Sequence, residues 1–188
     1  MDIAVIDCSS SKVPNIVDVL ERLNCNIVLI DLASANEHSF DQYDAMVISG
    51  GPRLFTDQAQ IKELTQWFRF IERVVCPILG ICLGHQAIGL AAGAKVYRDT
   101  ERRNTEIITT HKQHALLNQL SQNFEVATDH CEGISLPENY QLIGSSTWYQ
   151  VEVMVNDKLK RYGVQFHPEV SGRAGEQLFK NFLQLAKN

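Results

Sequence analysis

The sequence predicts an α/β fold, a doubly wound, mostly parallel sheet with helices on both faces and antiparallel strand additions in the C-terminal half. Three observations carry that prediction. The first half alternates short aliphatic runs with stretches of helical periodicity. Each aliphatic run is bounded by polar residues, Gly or Pro. The second half is instead a series of short strand-like runs separated by turn signals.

In chain order, residues 3–6, 26–30, 45–48 and 77–81 are rich in β-branched and aliphatic side chains. Continuous apolar runs of this length suit strands covered on both faces, as in a parallel sheet. Between the first two, Val13, Ile16, Val17, Leu20 and Leu23 recur at helical spacing, and between the last two Ile61, Leu64, Phe68 and Ile71 do the same. Strand and helix alternating in this way imply right-handed crossovers. Residues 87–93 read as a further helix whose small side chains permit close approach to the sheet, with Gly93 as its cap. Residues 105–110, 124–128, 140–145, 150–155 and 161–166 are the short strands of the second half, and Asn156-Asp157-Lys158 is a hairpin turn between the last two. Residues 172–188 close the chain as an amphipathic helix carrying Leu178, Phe179, Phe182, Leu183 and Leu185. No repeat, low-complexity tract or linker interrupts the pattern, so residues 1–188 read as a single domain.

With 188 residues, 45% of them hydrophobic and 21% charged, the chain can bury a sizeable core but has no room for a second catalytic domain. A formal charge of -5 offers no broad basic footprint, which argues against nucleic acid and anionic membranes as partners. The N-terminal residues lack a basic segment followed by an apolar one, and no apolar run approaches the roughly 18 residues of a membrane span. A cytoplasmic location is the expectation. The five cysteines, Cys8, Cys25, Cys76, Cys82 and Cys131, are odd in number and lack Cys-x-x-Cys spacing, which suits a reducing compartment and speaks against disulfides or structural zinc.

The sharpest signal is Gly80-Ile81-Cys82-Leu83-Gly84-His85-Gln86, between a strand-like and a helix-like run. Gly-x-Cys-x-Gly at such a junction is a thiol version of the nucleophile elbow, a tight turn that lifts a reactive side chain above the carboxyl edge of a sheet. A free cysteine is only a few per cent thiolate at neutral pH, so it needs a base. Gln165-Phe166-His167-Pro168-Glu169-Val170 supplies one in His167, with Glu169 placed to orient the imidazole. Leu83, following the nucleophile, sits where an elbow places one oxyanion donor. Gly51, in the turn Ser49-Gly50-Gly51-Pro52, lacks the Cβ that would keep its backbone from a ligand. Cys8, Cys25 and Cys76 read as small buried hydrophobes. His85 reads as a structural helix-start residue. His111 and His114 have metal-like spacing but no matching ligand set, so no metal site is expected. Arg98, Glu101, Arg102 and Arg103 read as a solvated surface.

The Ser49 to Pro52 turn, the elbow and residues 162–170 occur in the order found in the class I, triad-type glutamine amidotransferases, and the chain resembles that family from end to end. Within it, the length and the wording of residues 164–170 most resemble the free-standing glutaminase subunit of archaeal-type GMP synthases. The resemblance implies Cys82 as nucleophile, His167 as base, Glu169 as its orienting carboxylate, and the backbone N–H groups of Gly51 and Leu83 as the oxyanion hole. It implies Gln86, Asp129 and Cys131 as contacts to substrate glutamine. It further implies no cofactor in this chain, with ATP, Mg²⁺ and XMP held by a separate ATP-pyrophosphatase subunit that receives the ammonia.

Three segments depart from the subfamily pattern. Asp129-His130-Cys131-Glu132-Gly133 stands where Ser-His-x-Asp is usual, and a carboxylate at Asp129 is expected to repel the substrate carboxylate while pairing with its ammonium. Asp7-Cys8-Ser9-Ser10-Ser11 replaces Asp-x-Gly-Gly-Gln, and Ser171-Gly172-Arg173-Ala174 replaces a His-Thr pair. These leave the glutaminase reading intact and bear on the acceptor. The alternatives are the glutaminase component of anthranilate or aminodeoxychorismate synthase, whose usual His-Gly-Lys segment and Ser after His-Pro-Glu are absent, and a stand-alone γ-glutamyl hydrolase. A catalytically silent module that binds glutamine or a protein is the alternative of a different class.

Overall fold

In the computed structural model, which describes residues 1–187, the chain opens with β1 (Asp2–Asp7), α1 (Val13–Arg22), β2 (Asn26–Asp31), β3 (Ala45–Ile48), α2 (Ile61–Trp67), β4 (Ile78–Ile81) and α3 (Leu83–Ala91). It continues through β5 (Val96–Arg102), β6 (Thr105–Thr110), β7 (Asn123–Ala127), β8 (His130–Ile134), β9 (Gln141–Ser145), β10 (Val153–Asn156), β11 (Arg161–Val164) and α4 (Gly172–Ala186). The expected end of the last helix at Asn188 lies outside the described residues. No described helix is long and apolar enough to cross a membrane.

Nine strands form one sheet in the order β2-β1-β3-β4-β11-β10-β9-β6-β7. The first five are mutually parallel, and the remaining four are added antiparallel at one edge. Alternation along each strand divides the core between the two faces. Ile3 and Val5 of β1 pack with Ile16 and Leu20 of α1 and with Phe179 and Phe182 of α4. Ala4 and Ile6 point the other way, to Leu64 of α2 and Ala87 and Ile88 of α3. Helices therefore cover both faces, as the apolar pattern predicts.

Several boundaries differ from the sequence reading, each for a local reason. The helix expected through Ile71 ends at Trp67 and tightens into a 3-10 turn over Phe68–Glu72, which turns Phe68, Phe70 and Ile71 all inward. The strand expected from residue 150 begins at Val153, where the pairing with β9 is shifted by a bulge. β11 pairs antiparallel with β10 and also parallel with β4, so it completes the parallel core as well as opening the antiparallel addition. Gly93, at φ +87, lies one residue beyond the cap residue Ala92 of α3.

The largest correction concerns residues 96–102 and 130–134. These form a separate two-stranded ribbon in which Val96 faces Ile134 and Tyr97 faces Gly133. β5 is charged and mostly exposed, so it carries no hydrophobic alternation to announce it. The solvated surface read at Arg98 to Arg103 is mostly exposed, as expected, but is carried on strand backbone up to Arg102, and the segment after Asp129 is strand from His130 onward. The ribbon stands beside the carboxyl ends of the parallel strands, where open α/β sheets place their ligand crevice.

Candidate active site

Cys82 occupies the junction of β4 and α3 with φ 50 and ψ −102, a conformation that L residues rarely adopt. The strained turn is held on both sides. The Cys82 N–H donates to the Val164 carbonyl at 2.9 Å, and its carbonyl accepts from the Gln86 N–H at 3.0 Å. The flanking glycines are steric requirements. A Cβ on Gly80 would lie 2.5 Å from the Gly84 carbonyl oxygen, and a Cβ on Gly84 would lie 2.5 Å from that of Ile48. Sulfur is thereby lifted to the N-terminus of α3, where the helix dipole is positive.

Beyond β11 the chain carries Gln165 and Phe166 inward and brings His167 over the elbow, its N–H bonded to the Ala127 carbonyl at 2.9 Å. His167 Nδ1 and Glu169 Oε1 are 2.7 Å apart, and both residues are buried. That contact places Nε2 on the side of the Cys82 sulfur, to which the ring is hydrogen-bonded. Burial by itself lowers the imidazole pKa, but the bonds to the Cys82 sulfur and to Glu169 outweigh it and hold the ring up at about 10. Ser171 steadies the arrangement: its hydroxyl donates to the His167 carbonyl at 2.7 Å and accepts from the Ala127 N–H at 2.9 Å.

A cleft of about 480 Å³ opens over this triad and is lined by Gly51, Gln86, Asp129 and Cys131 together with Cys82 and His167. A larger hollow of about 760 Å³ lies under residues 110–122. It contains no member of the triad, and its His114 is engaged by Asp157 and by the Leu116 N–H. Leu83 buries its side chain in the core, so it can serve only through its backbone, and as first residue of α3 its N–H has no acceptor within the helix. Gly51 packs so tightly that a Cβ would fall 2.3 Å from the Cys8 carbonyl oxygen. Gln86 is held at the cleft floor by contacts of 3.3 Å from its Nε2 to the Glu132 carbonyl and to Gln165 Oε1.

Asp129 does not stand alone. Lys12 Nζ lies 2.6 Å from one carboxylate oxygen and Arg103 Nε lies 3.3 Å from the other. Burial acts to raise the Asp129 pKa, yet the hydrogen bond and charge of Lys12, with His167 and Arg103 behind, bring it below the usual carboxylate value. Neither cation is a site residue in the sequence reading, which places Arg103 on a solvated surface and does not single out Lys12. Cys131 is half-buried at the wall, and burial pushes its thiol pKa up. Glu132 turns away from substrate duty: its two oxygens accept from the Phe55 and Thr56 N–H groups and pin that loop. His130 is pressed against Tyr149 with ring centroids 4.5 Å apart, and burial pushes its pKa down to about 4. His85 is fully buried, with its pKa pushed down by burial to about 3, consistent with a structural residue.

Compared with known proteins, residues 4–185 match the family model of the class-I glutamine amidotransferases. A glutamine-hydrolysing GMP synthase subunit from Sulfurisphaera tokodaii is 32% identical over 190 residues, covering all of both chains. Its counterpart from Methanosarcina barkeri is 33% identical over 150 residues, covering 78% of this chain and 76% of the relative. Among solved structures, a protein from Thermoplasma acidophilum, provisionally described as a GMP synthase subunit, superposes with a TM-score of 0.89 at 26% identity. That superposition covers 100% of this chain and 94% of the other.

Proposed function

We propose, from the premise that this chain belongs to the class-I glutamine amidotransferase family, that it is the glutamine-hydrolysing subunit of a two-subunit GMP synthase. The observation that carries the glutaminase reading is the assembly of Cys82, His167 and Glu169 at a left-handed elbow opening into a cleft. The GMP synthase relatives, one of them matched over its full length, support the choice of complex. ATP, Mg²⁺ and XMP then belong to a separate ATP-pyrophosphatase subunit, and both work in the cytoplasm.

The chemistry follows from the residues. Sulfur of Cys82, its proton taken by His167 Nε2, adds to the side-chain carbonyl carbon of glutamine. The resulting oxyanion is met by the N–H groups of Gly51 and Leu83, each worth about 2.7 to 4 kcal/mol in comparable sites. His167 returns the proton to the departing nitrogen, the C–N bond breaks, and ammonia leaves a γ-glutamyl thioester on Cys82. Water, deprotonated by the same imidazole, hydrolyses the thioester to glutamate and frees the sulfur. Glu169 fixes the tautomer and supports the cationic ring.

The test is glutamate release from glutamine by this chain alone and with an ATP-pyrophosphatase subunit charged with ATP, Mg²⁺ and XMP. A large rise on mixing, with GMP formed in step with glutamate, is the expected result. Activity indifferent to that subunit would remove the GMP synthase assignment, and no activity in either setting would remove the glutaminase.

A further inference from the structure

The serine run noted as a departure after β1 is followed directly by Lys12, and a second departure, Asp129, precedes β8 in a different loop. In the fold Lys12 Nζ and Asp129 Oδ2 meet at 2.6 Å across a separation of 117 residues. Resting on the glutaminase reading above, we infer that Lys12 and Arg103, with Asp129 between them, form the subsite for the zwitterionic end of the substrate. The two cations take its α-carboxylate and Asp129 takes its α-ammonium.

Four observations support this. All three side chains line the same cleft as Cys82 and His167. The main-chain oxygen of Asp129 lies 3.9 Å from the Cys82 sulfur, so the ion-paired wall begins one residue from the nucleophile. Glutamine needs that arrangement, because its α-carbon is only a few bonds from the carbon under attack. The charges also suit it: Arg103 is shared between Asp129 and Glu101, 2.9 Å away, yet the cleft lining sets the four cations Lys12, Arg53, Arg98 and Arg103 against the three carboxylates Glu101, Asp129 and Glu132, so a substrate carboxylate is attracted where Asp129 alone would repel it. Finally, the groups are free to re-aim, with side chains 24%, 40% and 71% exposed for Lys12, Asp129 and Arg103. Lys12 has three N–H donors, so it can hold Asp129 and a substrate carboxylate together. Arg53, also in the cleft wall, is committed to Glu63 at 2.8 Å and to the face of Trp67, and is a poorer candidate.

The inference is tested by comparing two thiol reagents on the full-length chain. The diazoketone analogue of glutamine, 6-diazo-5-oxo-L-norleucine, carries the amino-acid end, whereas iodoacetamide does not. Lys12→Met should slow inactivation by the diazoketone roughly ten- to hundredfold, as loss of a charge-assisted contact does, and shift alkylation of Cys82 by iodoacetamide far less. Arg103→Gln, on an exposed side chain that poses no folding hazard, should act in the same direction with a smaller effect. For glutamine hydrolysis both should raise KM with a much smaller change in kcat. The charge-swapped pair Lys12→Asp with Asp129→Lys rebuilds the ion pair in reverse. Recovery of thermal stability without recovery of the diazoketone rate supports recognition, and recovery of both overturns it in favour of a structural staple. Equal slowing with both reagents, or none with either, likewise overturns it. A wild-type chain that iodoacetamide alkylates at Cys82 but the diazoketone leaves untouched would overturn the glutaminase reading first.

Discussion

The two walls of the cleft are built by opposite means. On one side Cys82, His167 and Glu169 hang from the carboxyl ends of β4 and β11, all three buried, with Cys82 and His167 fixed by main-chain bonds of 2.9 to 3.0 Å and Glu169 by its 2.7 Å contact with His167. On the other side the side chains of Lys12, Asp129 and Arg103 are held by ion pairs between loops, and the most exposed of them is 71% accessible. The difference separates tasks. Bond making and breaking require geometry set before substrate arrives, which a packed parallel sheet supplies. Holding an incoming zwitterion requires charges that can exchange partners, which a semi-exposed network supplies at little energetic cost.

Breaking the rigid wall at its centre should have the largest effect. Cys82→Ala removes the nucleophile and should lower glutamine-dependent turnover by about 10⁴-fold or more. The same variant, mixed with external ammonia and an acceptor subunit, should still form GMP, since the proposed division of labour leaves amination to the partner. Failure with ammonia would sink that division.

Glu169→Gln comes next. The amide keeps the shape but no longer favours the protonated ring, and kcat should fall by about a hundred- to ten-thousandfold with little change in KM. The His167 pKa, read from its imidazole NMR signals, should fall as well, because Glu169 is among the groups that raise it. The sign carries over to stability. A folded-state pKa of about 10, against an ordinary value of 6.5, means that protonated His167 stabilises the fold fully below about pH 6.5. That contribution is lost as pH rises through about 10. Denaturant midpoints measured across this range should decline more for the wild type than for Glu169→Gln, and parallel curves would refute the coupling.

The same contrast explains what could be read from the sequence. The rigid wall is encoded in short contiguous strings, because an elbow requires glycines two residues either side of its cysteine and a 3-10 turn after β11 places Glu169 two residues from His167. β1 and β3 were legible for a similar reason: buried strands leave continuous apolar runs. The adjustable wall has no such local signature. Lys12 and Asp129 are ordinary charged residues until the fold brings them together, and β5 is paired through its backbone while its side chains face solvent. Ser171 was visible only as a departure from the family pattern. Its bonds to His167 and Ala127 join segments distant in the chain, so its supporting position could not be inferred before the fold was known.

Ser171→Ala tests how far the rigidity extends behind the triad. Losing both contacts should cost about 1 to 2 kcal/mol of stability, measured as a shift in the urea midpoint. kcat should fall by roughly tenfold if His167 is displaced by a few tenths of an ångström. A full loss of stability with unchanged kcat would place the rigidity entirely in the main-chain bonds.

Salt should produce the smallest effect and the clearest contrast between the walls. At about 0.5 M ionic strength the screening length is near 4 Å, against roughly 14 Å at 0.05 M, so exposed pairs such as Arg103 with Asp129 are weakened while buried ones are largely protected. The same screening reduces attraction of the substrate carboxylate to the positive wall. KM for glutamine should therefore rise a few-fold across that range, with kcat nearly constant because His167 and Glu169 stay buried. In Lys12→Met the rise in KM should be smaller, since one of the screened charges is already gone. A drop in kcat at constant KM would invert the comparison, placing the salt-sensitive charges at the chemistry and the fixed ones at the substrate's far end.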